Sequence, residues 1–130
     1  MEAFDTNVIV RLLVRDNEEQ ARRAEACFGA AIARAGAWLS TVVLVEVSWV
    51  LQRAYKLERA QVASSLRNLI TTAGVRVENE ELALMALTAF ETGAADFADY
   101  MILEAARLGL ALPLHTFDER LARSAGTALV

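Results

Sequence analysis

Hydrophobic positions follow two spacings along this chain, and the two spacings alternate. Segments with an apolar residue at every third or fourth position predict amphipathic helices, and short apolar runs between them predict strands. The predicted helices cover residues 5–13, 18–34, 40–55, 59–72, 80–92 and 96–109, with a short one from 118 to 124. The predicted strands end at Phe4 and cover 37–39, 75–77 and 110–115, with 129–130 as an edge strand. Strands that alternate with helices are typical of the α/β class with a mostly parallel sheet.

Length and composition indicate one domain. A chain of 130 residues with 55% apolar composition has enough material for a single core, so we expect one domain over residues 1–130. The longest apolar run, Trp38–Leu51, is interrupted by polar residues such as Glu46 and is too short to span a membrane. The N-terminus lacks a basic leader followed by a long apolar region. We therefore expect a cytoplasmic protein without a membrane partner.

The charge balance limits the kind of partner. A net charge of −4 argues against a protein that grips long DNA through a basic surface, although acids gathered in a site are compatible with a nuclease. All thirteen basic residues except Lys56 are arginine, whose planar fork suits phosphate contacts. The single cysteine, Cys27, cannot form an internal disulfide and falls in an apolar helical pattern, so we expect it in the core.

Two carboxylates fall on apolar faces of predicted helices. Asp99 shares its face with Ala95, Ile102 and Leu103, and the neighbours of Glu46 one turn away are valines and a tryptophan. A carboxylate in such a setting needs a partner, because the burial of an unpaired charge is unfavourable. We therefore expect both side chains to face the interior and to meet other charged groups.

Two further aspartates come shortly after predicted strands: Asp5 follows Phe4 at once, and Asp118 follows the fourth strand after Thr116-Phe117. Asp5 and Asp118 each begin a helix, so each either caps that helix or belongs to a site at the carboxyl end of the sheet. Asp96 also begins a helix and is expected to be a cap. The pattern as a whole predicts a cluster of Asp5, Glu46, Asp99 and Asp118.

The predicted cluster needs a counter-charge, because four close carboxylates would repel one another and raise their own pKa values. With oxygen donors, and with no cysteine pair or spaced histidine, it favours Mg²⁺ or Mn²⁺ over zinc. One such ion, or a pair, is used in phosphoryl chemistry. The sequence has no Gly-Lys-Ser/Thr loop of a P-loop enzyme, and Asp5-Thr6-Asn7 lacks the second aspartate of a phosphoaspartyl enzyme.

Two polar residues precede Asp118. His115, the only histidine, lies within the fourth predicted strand, where a core or strand-edge position is favoured over a role as a general base. Thr116 lies at the end of that strand and is the better candidate. Its hydroxyl could hydrogen-bond a metal-held water or orient a carboxylate.

Four segments, in this order, resemble the PIN-domain nucleases and, more narrowly, the VapC toxins of bacterial toxin–antitoxin pairs. They are Asp5-Thr6-Asn7, Val43–Leu51, Ala95–Asp99 and Thr116–Leu121. The resemblance covers nearly the whole chain and implies a PIN-like three-layer α/β/α fold around a short, mostly parallel central sheet of four to five strands. Phe4 and Tyr100 replace residues that are usually smaller in the family, and Tyr100 could narrow the site or stack on a base.

The resemblance also implies an activity and the residues that carry it. The activity is internal cleavage of RNA with Mg²⁺ or Mn²⁺. The catalytic and metal-binding positions are Asp5, Glu46, Asp99 and Asp118, and the supporting positions are Asp96, Thr116 and Asn7, of which Asp96 is also a candidate metal ligand. The alternative is a non-catalytic PIN-like module that binds a protein or a nucleic acid.

Partners are implied by the resemblance alone. It implies a homodimer and a cognate antitoxin that places a basic side chain among the acids, with DNA contacted only through the antitoxin. Apolar positions of the predicted helix 59–72 and around residues 44–51 would suit association, but a structural core would use the same residues.

Overall fold

The computed structural model describes residues 1–130, and their contacts divide the chain into two units, Met1–Glu80 and Glu81–Val130. Each unit combines parallel strands with helices, so the predicted α/β class is confirmed. None of the helices has both the length and the apolar composition needed to cross a membrane. That residues 1–130 form one domain stays a prediction.

The first unit contains three strands and four helices. They are β1 (Glu2–Ala3), α1 (Thr6–Leu13), α2 (Glu18–Arg34), β2 (Ala37–Leu39), α3 (Thr41–Arg53), α4 (Arg59–Thr71) and β3 (Val75–Val77). The strands form a parallel sheet in the order β1-β2-β3, with Ala37 opposite both Glu2 and Val75. Because β1 and β2 run in the same direction, they lead into α1 and α3 at the same edge of the sheet.

Polar caps and glycines set the ends of these elements. Asp5, Asn17 and Ser40 each accept a hydrogen bond from the backbone N–H three residues further on, which satisfies a free amide in the first turn of α1, α2 and α3. Gly36 and Gly74 have φ angles of +93° and +87° in the turns before β2 and β3, a conformation that side chains disfavour. The sequence therefore places the beginnings of these helices correctly.

Cys27 lies outside the core. The core of the first unit is formed by larger side chains of the sheet and of α1, α3 and α4, and α2 contributes mainly the small residues Ala21, Ala24 and Ala31. This buried face of α2 is narrow, and Cys27 falls beside it with an exposed side chain. The expectation of a core cysteine is wrong, because an apolar helical pattern does not define how wide the buried face will be.

The second unit places two helices before a small sheet. Its elements are α5 (Glu80–Thr92), α6 (Phe97–Leu108), β4 (Leu114–Thr116), a single 3₁₀ turn (Leu121–Arg123) and β5 (Thr127–Leu129). β4 and β5 pair in parallel, with Leu114 opposite Thr127. Phe90 of α5 and Phe97 of α6 meet edge to face with ring centroids 6.1 Å apart, which fixes the beginning of α6 against α5.

The predicted single sheet of four to five strands is wrong, because the structure contains one sheet of three strands and one of two. Short apolar runs identified the strands. They did not identify the partners, because strand pairing depends on hydrogen bonds between segments distant in sequence.

The fourth strand is also shorter than predicted. It begins at Leu114, because Leu110 belongs to the turn that ends α6 and the Ala111 N–H donates to the Ala106 carbonyl at 2.8 Å. Leu110 has a φ of +55° and is 93% exposed. It is an exposed turn residue, and its apolar side chain led to the prediction of a longer strand. The helix predicted over 118–124 is only the 3₁₀ turn Leu121–Arg123.

Candidate active site

In the first unit, the ends of β1 and β2 bring one aspartate and one glutamate into neighbouring helices. Asp5 follows β1 and caps α1, where its Oδ1 accepts a hydrogen bond from the Val8 N–H at 3.2 Å. Glu46 lies on α3, and its Oε2 accepts a hydrogen bond from the Thr6 hydroxyl at 2.8 Å. Thr6, the residue after Asp5, thus links the first turn of α1 to Glu46. No role for Thr6 was expected from the sequence, although this residue stands inside the Asp5-Thr6-Asn7 motif.

Glu46 does not face the interior of the unit. Its side chain is exposed, and so are those of Val42 and Trp49, at 63% and 40%. The buried face of α3 is made of other residues, namely Leu44, Val47, Ser48 and Leu51. The interpretation of Glu46 as a core-facing acid is wrong, because Val42 and Trp49, two of its four apolar neighbours along the helix, are themselves exposed, and Val43 and Val50 are only partly buried. Its position beside Thr6 leaves it accessible to a ligand.

In the second unit, the beginning of α6 carries two reciprocally bonded aspartates. Asp96 is the N-cap and Asp99 is the third residue of the helix, and the two form a capping box in which the Asp96 N–H donates to Asp99 Oδ2 at 3.1 Å. The cap expected at Asp96 is confirmed. Each side chain satisfies an otherwise free amide of the first turn, so the helix itself holds the two carboxyl groups close together.

Asp118 is held by the loop that follows β4. Its Oδ1 accepts hydrogen bonds from the backbone N–H groups of Arg120 at 2.8 Å and Leu121 at 3.0 Å. The Asp118 N–H in turn donates to the Thr116 hydroxyl oxygen at 3.0 Å. The backbone and Thr116 therefore fix the position of this carboxylate.

The pKa values of Asp99 and Asp118 are shifted in opposite directions. Burial raises the pKa of Asp99, the hydrogen bond from the Asp96 backbone opposes the rise, and the charges of Asp96 and Asp118 add to it. The pKa of Asp118 is lowered, chiefly by the hydrogen bond from the Leu121 N–H. A nearby cation would therefore favour the ionised form of Asp99.

Comparison with protein families adds an independent observation. The chain matches the family described as the PIN domain over residues 3–126. The chain belongs to the PIN domain family. The match includes every residue assigned to the site, and PIN domains are typically nucleases that hydrolyse nucleic acids, usually with divalent metals such as Mg²⁺. No curated protein and no solved structure was found to match the chain.

The donor chemistry of this PIN domain fits a hard divalent cation. The candidate ligands are carboxylates alone, which Mg²⁺ and Mn²⁺ prefer. Asp5 and Glu46 lie in the first unit, and Asp96, Asp99 and Asp118 lie in the second. Neither unit by itself gathers three or more acidic, histidine or cysteine side chains in an arrangement that could hold a metal ion. A site of four carboxylates requires both units and stays a prediction.

Tyr100 has a structural position in the PIN domain. It is 3% exposed, and its hydroxyl oxygen accepts hydrogen bonds from the N–H groups of Ala94 at 3.1 Å and Ala95 at 3.3 Å. A methyl group on Gly93 would lie 1.8 Å from this hydroxyl, so only glycine fits there without displacement. The suggestion that Tyr100 stacks on a base is wrong, because the ring is buried under the turn that precedes α6.

The remaining polar candidates lie at the surface. His115 is exposed on β4, which agrees with a strand-edge position and not with a core position. Asn7 is exposed in the first turn of α1 and lines a cavity between α1 and α2. Neither residue makes a hydrogen bond to one of the acids, so a supporting role for Asn7 stays a prediction.

Proposed function

We propose that this PIN domain is an endoribonuclease that depends on Mg²⁺ or Mn²⁺ and acts as the toxin of a toxin–antitoxin pair. The family membership supports a nuclease, and the motifs shared with VapC toxins support RNA as the substrate. The observation that carries the proposal is the capping box at the beginning of α6, which holds the carboxyl groups of Asp96 and Asp99 together. Burial, with a smaller contribution from the charges of Asp96 and Asp118, raises the pKa of Asp99, and a perturbed carboxyl group beside a second acid suits a binding role.

The residues proposed to hold the ion are Asp5, Glu46, Asp99 and Asp118, with Asp96 as a further ligand. When bound, the ion would promote deprotonation of a water and neutralise charge on the scissile phosphate. The hydrogen bond from Thr6 orients Glu46, and the backbone N–H groups of Arg120 and Leu121 keep Asp118 ionised and in place. Hydrolysis adds the water oxygen to phosphorus and releases the leaving oxygen, which takes up a proton.

The activity can be tested with variants in which an aspartate is replaced by the uncharged asparagine. Asp5→Asn and Asp99→Asn should each lower the rate of RNA cleavage at least about 100-fold. Loss of a residue that only hydrogen-bonds a metal ligand already lowers metal affinity or activity about 10- to 100-fold, and these two residues are proposed to be ligands themselves. Cleavage by the native protein should require Mg²⁺ or Mn²⁺ and should stop with a chelator. The measurement is gel analysis of a labelled RNA, with circular dichroism to show that both variants fold.

Glu19→Gln is the matched control, because Glu19 is an exposed acid on α2 without an ion pair. It changes the net charge by the same amount and should leave cleavage unchanged. Full cleavage by both Asp5→Asn and Asp99→Asn would contradict the nuclease proposal.

The toxin role has a separate test in cells. Expression of the native protein should arrest bacterial growth, and co-expression of the product of a neighbouring antitoxin gene should restore it. The Asp99→Asn variant should be harmless. Arrest that persists in this variant would favour the alternative, a PIN-like module that acts by binding.

A homodimer and a cytoplasmic location belong to the same proposal. Size-exclusion chromatography with light scattering measures the mass of the protein in solution and so tests for the homodimer.

A further inference from the structure

A surface cavity of about 560 Å³ lies between α1 and α2 in the first unit. One face of each helix lines it, with residues Asn7, Val8, Arg11, Gln20, Arg23, Ala24 and Cys27. Asp5 and Glu46 are not among the lining residues, so the cavity is separate from the candidate metal ligands of this unit. Its volume lies in the range of pockets that bind small ligands, roughly 300–1,000 Å³.

The cavity contains one arginine that is fixed and one that is free. Arg11 donates from Nε to Gln20 Oε1 at 2.5 Å and from Nη1 to Asp16 Oδ1 at 3.2 Å and Tyr55 Oη at 2.9 Å. Arg23 is exposed and makes no ion pair or hydrogen bond. The guanidinium of Arg23 is therefore available to an anion, whereas the guanidinium of Arg11 is already occupied by hydrogen bonds within the protein.

Two amides and an apolar wall complete the lining. Gln20 uses its carbonyl oxygen to accept from Arg11, so its NH₂ group remains as a donor. Asn7 has no hydrogen-bond partner and offers both a donor and an acceptor. Val8, Ala24 and Cys27 form the apolar part of the lining. A free cation, amide groups and an apolar surface together match the phosphate, the base edge and the base face of a nucleotide.

The cavity and the proposed site of cleavage share helix α1. Asn7 lines the cavity and is two residues after Asp5, which is roughly 3 Å along the helix axis, but side chains two residues apart point to different sides of a helix. An RNA that passes around the first turn of α1 from Asp5 would place a neighbouring nucleotide between α1 and α2.

We propose that this cavity is a subsite for one nucleotide of single-stranded RNA, with Arg23 on a phosphate and the amides of Asn7 and Gln20 on the base. The proposal rests on the proposed function for the nature of the substrate. A protein helix with an apolar face fits less well, because four of the seven lining side chains are polar, and it would leave Arg23 buried without a partner.

Cys27 provides a direct test, because it is the single cysteine, is exposed and lines the cavity. The probe is a mixed-sequence, single-stranded RNA of about 12 nucleotides, within the usual site sizes of such proteins, added with a chelator so that it stays intact. Saturating RNA should slow alkylation of Cys27 by iodoacetamide several-fold, as measured by mass spectrometry. In a Cys27→Ser/Ser64→Cys variant, which places the thiol on an exposed position of α4, RNA should not change the rate.

A pair of neighbouring arginines provides the second test. Arg23→Gln should weaken binding of the fluorescein-labelled RNA about tenfold at low salt, since it removes a charge-assisted contact to phosphate. Arg22→Gln is the matched control, because Arg22 is also exposed on α2 and does not line the cavity, and it should change binding less than twofold. Under cleavage conditions Arg23→Gln should raise KM and leave kcat nearly unchanged.

The outcomes separate this proposal from the proposed function. Protection of Cys27 by RNA, with no metal-dependent cleavage, would retain the subsite and overturn the nuclease. Normal cleavage without protection, or equal effects of Arg22→Gln and Arg23→Gln, would overturn the subsite and retain the nuclease. Protection of Cys27 by the antitoxin protein but not by RNA would assign the cavity to a protein partner and would also overturn the subsite.

Discussion

At the scale of single residues, Asp99 combines two opposed effects. Its carboxylate helps to cap α6, but burial and the charges of Asp96 and Asp118 disfavour its ionised form. Asp118 has the reverse setting, because backbone N–H groups stabilise its charge. The two acids should therefore respond in opposite directions when the charge is removed.

Asp99→Asn should raise the thermal midpoint of the metal-free protein at pH 7. Because the pKa of Asp99 is raised in the folded state, its contribution to stability is present below the pKa of the unfolded chain, about 3.9, and is lost as pH rises through the folded value. The advantage of the variant should therefore shrink as the pH falls through the raised folded pKa of Asp99, and it should be gone below about 4. Differential scanning calorimetry in chelator at several pH values measures this.

Asp118→Asn is the matched comparison and should lower the midpoint at pH 7. Its pKa is lowered in the folded state, so its contribution is present above the unfolded pKa and is lost as pH falls through the folded value. Equal effects of the two variants at pH 7 would show that the local environments do not determine the response.

At the scale of elements, the turn before α6 positions the acids of the second unit. Gly93 allows the Tyr100 hydroxyl to approach, and this hydroxyl binds the N–H groups of Ala94 and Ala95 immediately before the capping box. Arg107 donates to Glu104 on the same helix and to the Ala125 carbonyl, so α6 is also linked to the segment that enters β5. The position of Asp99 thus depends on contacts at both ends of α6.

Tyr100→Phe should lower the free energy of unfolding by about 1–3 kcal/mol, because it removes the buried hydroxyl that accepts hydrogen bonds from the N–H groups of Ala94 and Ala95. Urea unfolding measures the change. Tyr55→Phe is a matched control, since the Tyr55 hydroxyl is only half-buried and water can replace its bonds to Arg11 and Asp16. A larger loss in Tyr55→Phe than in Tyr100→Phe would contradict this explanation.

At the scale of the whole molecule, the proposed site takes ligands from both units. Mg²⁺ that binds only the folded protein should stabilise it by about 2.7 kcal/mol at 100 times its dissociation constant. If one site uses Asp5 and Asp99 together, Asp5→Asn and Asp99→Asn should each abolish the rise in thermal midpoint. Loss in only one variant would show that the acids of the two units do not share an ion. The Glu19→Gln variant should retain the full rise.

Much of the fold followed from local pattern. The predicted beginnings of the helices agree closely with the structure where a capping residue marks them, as at Asp5, Ser40 and Asp96. The candidate acids were found because each stands at a strand end or on an apolar helix face. The sheet arrangement and the orientation of Glu46 were predicted wrongly, since neither is encoded in the spacing of residues along one segment.

The sequence by itself determined the class of the fold, the beginnings of the helices and the family motifs, because these depend on hydrogen bonds and periodicity within a few residues. Only the tertiary structure decided that Glu46 and Cys27 are exposed, that Thr6 contacts Glu46, and that Tyr100 is buried under a turn. Those features depend on which surface of each helix meets another segment. That choice is made by packing between residues far apart in the chain, so a local pattern does not contain it.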